Sequence, residues 1–117
     1  MNNKNKKLII KDLGKISYQY GLNQQEKYFS EIIKTKKSNY KKEQLLKTDN
    51  FLLFVEHYPV YTLGKSGDIN NLLTNMESLI EKNIEFFKTN RGGDITFHGP
   101  GQVVVYPILD LDNFFTD

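Results

Sequence analysis

The chain has 117 residues, a net charge of +2 and no Cys. This length accommodates a single domain, and the hydrophobic share of 38% with a charged share of 26% is typical of a globular, water-soluble chain. The missing Cys excludes disulfides, thiolate metal sites and a cysteine nucleophile within these residues. No apolar run approaches the roughly 18 residues of a membrane span, and the run at 8–10 is too short for a signal peptide. We therefore expect a cytoplasmic protein with no membrane partner.

The charge is unevenly distributed along the chain. Residues 1–50 carry 12 Lys against 5 acidic residues, a net +7, whereas residues 51–117 have a net charge of −5. A basic half suggests an acidic partner, which is a nucleic acid, an anionic membrane or an acidic protein. The alternative is a codon bias, because the chain has 15 Lys and no Ala, and many Lys are then simply solvated. Since Arg91 is the only Arg and nucleic-acid readers need this side chain for bidentate contacts, we expect no nucleic-acid partner.

The first half of the chain predicts a strand, a long helix and two further strands. The strand covers 7–13 and is expected to end at Gly14. A helix from Tyr18 to about Asn39 follows from apolar residues at 3.6-residue spacing, Phe29 among them. The continuous apolar run at 50–56 fits a strand that is buried on both faces, and a second strand follows at 60–63.

The second half is rich in turns. All three Pro and six of the eight Gly lie after residue 58. We expect short helices at 68–73 and 76–82, and strands at 84–88, 95–97 and 102–110. Strands mixed with helices predict an α/β (α+β) fold. The apolar last strand would leave part of this sheet uncovered, so we expect 1–117 to be the N-terminal portion of one larger domain, incomplete at its C-terminus, with a disordered basic leader at 1–7.

The segment Arg-Gly-Gly-Asp-Ile-Thr-Phe-His-Gly-Pro-Gly-Gln at 91–102 has the clearest chemical character. Gly lets a ligand approach the main chain closely, and the exposed N–H groups of such a loop bind anions or carbonyl oxygens. Arg91 adds a permanent charge, and His98 adds a group that titrates near neutrality. The segment is suited to the polar head of an acyl or phosphate compound, although tight hairpin turns produce the same pattern. His57 and His98 without Cys form a poor metal set, so no metal site is expected.

Residues 90–111, which contain this segment, resemble the signature of the bacterial lipoyl(octanoyl) transferase family. Residues 54–65 resemble that family's other N-terminal motif, and Gly14, Tyr18 and the Gln24-Gln25 pair fit it more loosely. The ending His-Gly-Pro-Gly-Gln favours this family over the related lipoate and biotin ligases. Together these matches cover nearly all of the chain after its basic leader.

The resemblance implies a mixed sheet flanked by helices, similar to the catalytic domain of biotin and lipoate protein ligases. It also implies an octanoyltransferase activity without a cofactor. Its donor would be octanoyl-acyl carrier protein. Its acceptor would be a lysine on the lipoyl domains of 2-oxoacid dehydrogenase complexes or on the glycine cleavage H protein. The family uses a Cys thioester assisted by a Lys, both downstream of the His-Gly-Pro-Gly motif and therefore outside this chain. Lys65 and Lys88 match neither position.

The resemblance also implies a set of substrate-binding residues, with a backbone role for the two positions that vary in the family, Asp94 and Phe97. The set is Arg91, Gly92, Gly93, Asp94, Ile95, Thr96, Phe97 and His98. The Lys-rich half would then serve encounters with an acidic carrier protein. Two alternatives stay open: a truncated paralogue that binds acyl groups or the carrier protein without turnover, and a ligase relative that adenylates lipoate or biotin.

Overall fold

A computed structural model describes residues 4–43, 45–72 and 74–115 of the chain. The mixed α+β class is confirmed, with strands in two sheets of order β1-β2-β6 and β4-β3-β5. The elements in chain order are β1 (Ile9–Ile16), α1 (Tyr18–Lys42), β2 (Phe51–His57), β3 (Val60–Leu63), a 3-10 turn (Ile69–Asn71), α2 (Met76–Glu81), β4 (Glu85–Lys88), β5 (Ile95–His98), β6 (Val104–Ile108) and a second 3-10 turn (Leu111–Asn113). No helix among the described residues has both the length and the apolar character that crossing a bilayer requires.

Two details of the strands differ from expectation. β1 does not end at Gly14 but continues through it to Ile16, because Gly14 takes a φ of 71° that other residues rarely adopt. β2 is not buried equally on both faces: its residues alternate between buried and half-buried positions from Phe51 to His57. The apolar run therefore hides the two-residue periodicity of a strand with one fully buried face.

The chain forms two compact units, the first from the described residues of 4–13, 19–54 and 105–115. Its core contains side chains of α1 and β2, with the rings of Tyr28 and Phe51 4.5 Å apart. Tyr28 and Ile32, one helical turn apart, form the buried face of α1. The apolar spacing also predicted Phe29 on this face, but Phe29 is 53% exposed.

A buried polar cluster fixes the edge of this unit. Asn50 is fully buried, and its Oδ1 accepts the N–H of Asp110 at 3.2 Å and the Nδ2–H of Asn113 at 3.1 Å. Thr48 donates its hydroxyl to Asp110 Oδ2 at 2.8 Å, and Lys36 Nζ lies 2.9 Å from Asp110 Oδ1. Buried polar groups without partners would cost free energy, so this pairing is what makes the cluster tolerable inside the fold.

The described part of the basic leader is attached to the same cluster. Asn5 donates its N–H to Asn113 Oδ1 at 3.0 Å and accepts from Asn50 Nδ2 at 2.7 Å. Lys4 Nζ donates to the carbonyl of Phe115 at 2.7 Å. Residues 1–3 of the expected disordered segment lie outside the described residues, and the assignment of the chain to the N-terminal portion of one domain stays a prediction.

The second unit comprises residues 14–18 and the described residues of 55–104. Its central strand β3 runs parallel to β4 and antiparallel to β5. In this register Val60 lies opposite His98 on β5, and Leu63 lies opposite Ile95. The loop that precedes β5 is thereby brought to the end of β3, beside Gly64, where the predicted binding residues begin.

Candidate functional site

Gly64 and Gly93, which belong to different segments, approach each other closely in the second unit. The N–H of Gly64 donates to the carbonyl of Asp94 at 2.9 Å, and the N–H of Lys65 donates to the carbonyl of Arg91 at 2.7 Å. A Cβ atom at Gly64 would lie 2.0 Å from the carbonyl oxygen of Gly93, and Gly93 itself has a φ of 100°. Only glycine fits at both positions, so the path of the 91–94 loop depends on them.

Asp94 uses its side chain to hold the neighbouring turn. Its Oδ1 accepts the backbone N–H of Asp68 at 3.0 Å, and its Oδ2 accepts a hydrogen bond from the amide of Asn71. A Cβ atom at Gly67 would lie 2.7 Å from the same Oδ1. The carboxylate is therefore occupied within the loop structure, which agrees with a backbone role for this position.

Arg91 is fixed by a buried hydroxyl. Its Nη2 donates to Thr62 Oγ1 at 2.7 Å, and its Nη1 donates to the carbonyl of Gly92 at 3.0 Å. Thr62 is fully buried in the central strand, so it is a rigid anchor. These two bonds use two of the five N–H donors of the guanidinium and set the orientation of its plane.

Tyr18 packs against two other rings of the second unit. The ring of Tyr18 is 5.3 Å from that of His57 and 5.0 Å from that of Phe87, and Tyr18 is buried. Burial raises the pKa of the Tyr18 hydroxyl, while the positive charge of Arg91 opposes this shift. The tyrosine is consequently neutral and forms part of an apolar wall near a fixed cation.

His57 is a fully buried imidazole held in its neutral form. Its Nδ1 lies 3.3 Å from the carbonyl of Ile16, an oxygen that can only accept, so this nitrogen carries the proton. Burial lowers the pKa of His57; the hydrogen bond to Ile16 opposes the shift, and the nearby His98 adds to it. The two imidazole centroids are 6.2 Å apart.

The remaining predicted residues lie along β5. Ile95, Thr96 and Phe97 pair with the facing residues of β3, and the Phe97 ring packs 5.0 Å from that of Tyr61. His98 is half-buried, and its Nδ1 lies 2.8 Å from Gln102 Oε1. Side chains alternate along a strand, so Phe97 and His98 belong to opposite faces of the sheet.

The structure thus places the predicted segment along β3, from the 91–94 loop beside Gly64 to His98 opposite Val60, and it adds three residues that the sequence did not single out as site residues. These are Tyr18 and His57, whose rings pack against each other, and Thr62, which accepts the hydrogen bond from Arg91. Tyr18 and His57 stand in the stretches that carried the resemblance, and this was the available signal. Thr62 stands in the 54–65 stretch as well, but nothing in that stretch indicated that its hydroxyl accepts a hydrogen bond from Arg91.

The candidate site offers groups that can contact a polar head. It combines a fixed guanidinium, a glycine-bordered loop and a half-buried imidazole. Within the described ranges, no group of three or more His, Asp or Glu side chains is arranged to hold a metal ion. A carbonyl, carboxylate or phosphate group matches the donors that are present.

The description of the matching family model is lipoyl protein ligase A/B catalytic domain, and it matches residues 17–117. The chain belongs to this family. Within it, the octanoyltransferases of Flavobacterium johnsoniae and Flavobacterium psychrophilum are 57% and 52% identical to the chain over 113 residues, which are 97% of this chain and 49% of each relative. The octanoyltransferase of Clostridium kluyveri is 41% identical over 96% of this chain and 44% of its own length.

The chain therefore spans about half the length of the curated relatives it matches. Among solved structures, the crystal structure of P. falciparum LipL1 in complex with lipoate matches with a TM-score of 0.51 and 15% identity, over 79% of this chain and 28% of that chain. At this identity the match shows the fold alone. The similarity to the lipoyl(octanoyl) transferases, which the 90–111 motif predicted, is confirmed at the level of the lipoyl protein ligase A/B family.

Proposed function

We propose that this chain is the N-terminal portion of an octanoyltransferase that moves an octanoyl group from acyl carrier protein to a lysine of a lipoyl domain. The observation that carries the proposal is the 57% identity to an octanoyltransferase over 97% of the chain. The acceptors would be the lipoyl domains of 2-oxoacid dehydrogenase complexes and the glycine cleavage H protein. The reaction takes place in the cytoplasm.

The acyl substrate binds along 91–98, and the geometry supports a division of roles within this segment. Arg91 and His98 contact the polar thioester end, since the first is a fixed cation and the second a half-buried imidazole. Gly92, Gly93 and Asp94 contribute backbone, because the side chain of Asp94 is used within the loop. Of the strand residues that follow, Thr96 shares the face of β5 that carries His98 and lines the acyl group, whereas Ile95 and Phe97 lie on the opposite face and contribute backbone.

The transfer has two steps, and the nucleophiles of both lie outside this chain. In the first step a Cys thiolate forms a new C–S bond to the octanoyl carbonyl, and the carrier thiolate leaves. In the second step the acceptor lysine forms the C–N bond, the Cys thiolate leaves and the amine loses a proton. Negative charge develops on the carbonyl oxygen in each step, and a positioned cation such as Arg91 stabilises it.

The carrier protein is expected to dock on the basic end of α1. Lys34, Lys37, Lys41 and Lys42 lie in this part of the helix, and Tyr40 between them is 89% exposed. An acidic carrier protein or lipoyl domain is attracted to such a face, and the rate of encounter falls as salt is added. The net charge of +7 over residues 1–50 supports the same direction of attraction.

The test is octanoyl transfer by the complete gene product. Octanoyl-acyl carrier protein and a lipoyl domain are incubated with the enzyme without nucleotide, and mass spectrometry follows the acyl adduct on the lipoyl lysine. We expect Arg91→Met to lower kcat/KM about 10- to 100-fold, since a hydrogen bond to a charged group contributes about 1.5–3 kcal/mol. Lys88→Met, at an exposed position at the end of β4, is the matched control and should transfer normally.

Three outcomes distinguish the alternatives. Transfer without nucleotide supports the proposal. An adduct formed only from free octanoate or lipoate with ATP identifies a ligase instead. Binding of the carrier protein without any adduct identifies a non-catalytic acyl-binding protein.

A further inference from the structure

The turn after β5 returns the chain onto His98. The N–H of Gln102 donates to the carbonyl of Gly99 at 3.1 Å, and Gly101 takes a φ of 90°. The N–H of Gly101 in turn donates to Glu56 Oε2 on β2 at 3.3 Å. These contacts bring the side chain of Gln102 back to the imidazole four residues earlier.

The contact between the two side chains defines the tautomer of His98. Gln102 Oε1 lies 2.8 Å from His98 Nδ1. An amide oxygen only accepts hydrogen bonds, so His98 Nδ1 must carry the proton. A neutral imidazole has a single ring proton, and Nε2 is therefore left with its lone pair as an acceptor.

We propose that Gln102 is a positioning residue, which holds His98 as the Nδ1–H tautomer so that Nε2 accepts a hydrogen bond from an N–H donor of the substrate. This role rests on the proposed octanoyl transfer. Two N–H donors take part in that reaction: the amide of the carrier's thioester arm and the amine of the acceptor lysine. Both present the same chemistry to Nε2, and the two half-reactions separate them.

The tautomer is read directly by nitrogen NMR of the complete gene product labelled at histidine, with the His98 signals assigned from a His98→Gln variant. We expect a protonated Nδ1 and a bare Nε2 in the neutral His98 ring. Gln102→Met removes the acceptor and should shift the ring toward the Nε2–H form. Gln102→Glu keeps an acceptor oxygen on a stem of the same length and should retain the Nδ1–H form.

Two internal references guard against misfolding. His57 has its own acceptor in the carbonyl of Ile16, so its signals should not change in the Gln102 variants. Gln19→Met replaces an exposed glutamine on α1 and should leave both rings unchanged. A wild-type His98 with a protonated Nε2, or one that is indifferent to Gln102→Met, overturns the proposal.

The functional consequence is measured as two half-reactions in a rapid-quench experiment. Gln102→Met should slow one of them about five- to tenfold, as expected for one lost hydrogen bond, and Gln102→Glu should restore it. Slower acyl-enzyme formation identifies the carrier arm as the donor, and slower acyl-enzyme decay identifies the lysine. If neither step changes while the tautomer shifts, the substrate role is wrong. If the tautomer is as described but no octanoyl transfer occurs, the proposed function fails instead.

Discussion

Replacing Gly64 by Ala tests whether the 91–94 loop is held against the end of β3 as the structure shows. The added Cβ would stand 2.0 Å from the Gly93 carbonyl oxygen and 2.9 Å from the carbonyl oxygen of Gly92. Overpacking of this kind costs about 1–3 kcal/mol. If the loop moves away, it also loses the hydrogen bonds that Gly64 and Lys65 donate to it, which contribute about 1 kcal/mol each.

The local free energy of opening should therefore fall by about 3–5 kcal/mol. Amide hydrogen exchange measured by NMR reports this change residue by residue, and about 3 kcal/mol corresponds to an exchange rate about 100-fold faster at Gly64 and Lys65. Gly92→Ala is the matched control, because a Cβ at Gly92 meets no atom within 4 Å. It should leave exchange at both amides unchanged.

Equal exchange rates in the wild type and in Gly64→Ala would refute the close approach of the two segments. Equal acceleration by Gly92→Ala would show instead that the loop tolerates no substitution, whatever the steric contact. Amides of the first unit, such as that of Leu53, serve as a reference, and their protection should not change in either variant.

Two further predictions concern pH. Burial lowers the pKa of His57 below 6.5, so its contribution to stability is present above pH 6.5 and is lost as the pH falls through its folded-state pKa. His57→Asn should therefore flatten the fall in unfolding free energy below pH 6.5. The pKa of Asp110 is lowered from 3.8, because the hydrogen bonds from Lys36 and Thr48 outweigh the opposing effect of burial; its contribution is present above pH 3.8 and is lost below, and Asp110→Asn should flatten that acidic region alone. Urea titrations at several pH values measure both, and each variant should keep the other's transition.

The sequence predicted the regular elements better than their burial. The 3.6-residue spacing located α1 to within three residues at its end, because many residues contribute to that periodicity. The spacing placed Phe29 on the buried face of α1, but its neighbour Tyr28 is buried there instead. Packing against Phe51, rather than spacing, determines which of the two side chains is buried. The predicted strand end at Gly14 was wrong for a related reason. A residue with a positive φ can end a strand or only bend it, and pairing with the neighbouring strand determines the outcome.

In the candidate site, too, the sequence predicted the location of the residues better than their contacts. The glycine-rich motif located the loop, but the role of each residue depends on partners distant in sequence. Thr62 accepts a hydrogen bond from Arg91, which is 29 positions away, and the carboxylate of Asp94 accepts hydrogen bonds from Asp68 and Asn71 in the preceding turn. Both partners, Thr62 and the turn at 68–71, lie outside the 91–102 motif. The motif alone therefore predicted binding, and the side-chain contacts became visible only in the structure.

These partners have a consequence for the charge of the site. Asp94 lies three residues from Arg91 and would be its natural counterion, yet its two oxygens accept from Asp68 and Asn71. Lys36 lies within ion-pair distance of Asp110 and Asp112, whereas Arg91 donates to the neutral hydroxyl of Thr62 and to the carbonyl of Gly92. A guanidinium fixed by neutral groups keeps its full charge for a ligand, and it need not reorganise when negative charge develops. The loop is therefore suited to a polar or developing anionic group, and in the proposed reaction this group would be the carbonyl of the acyl thioester under attack.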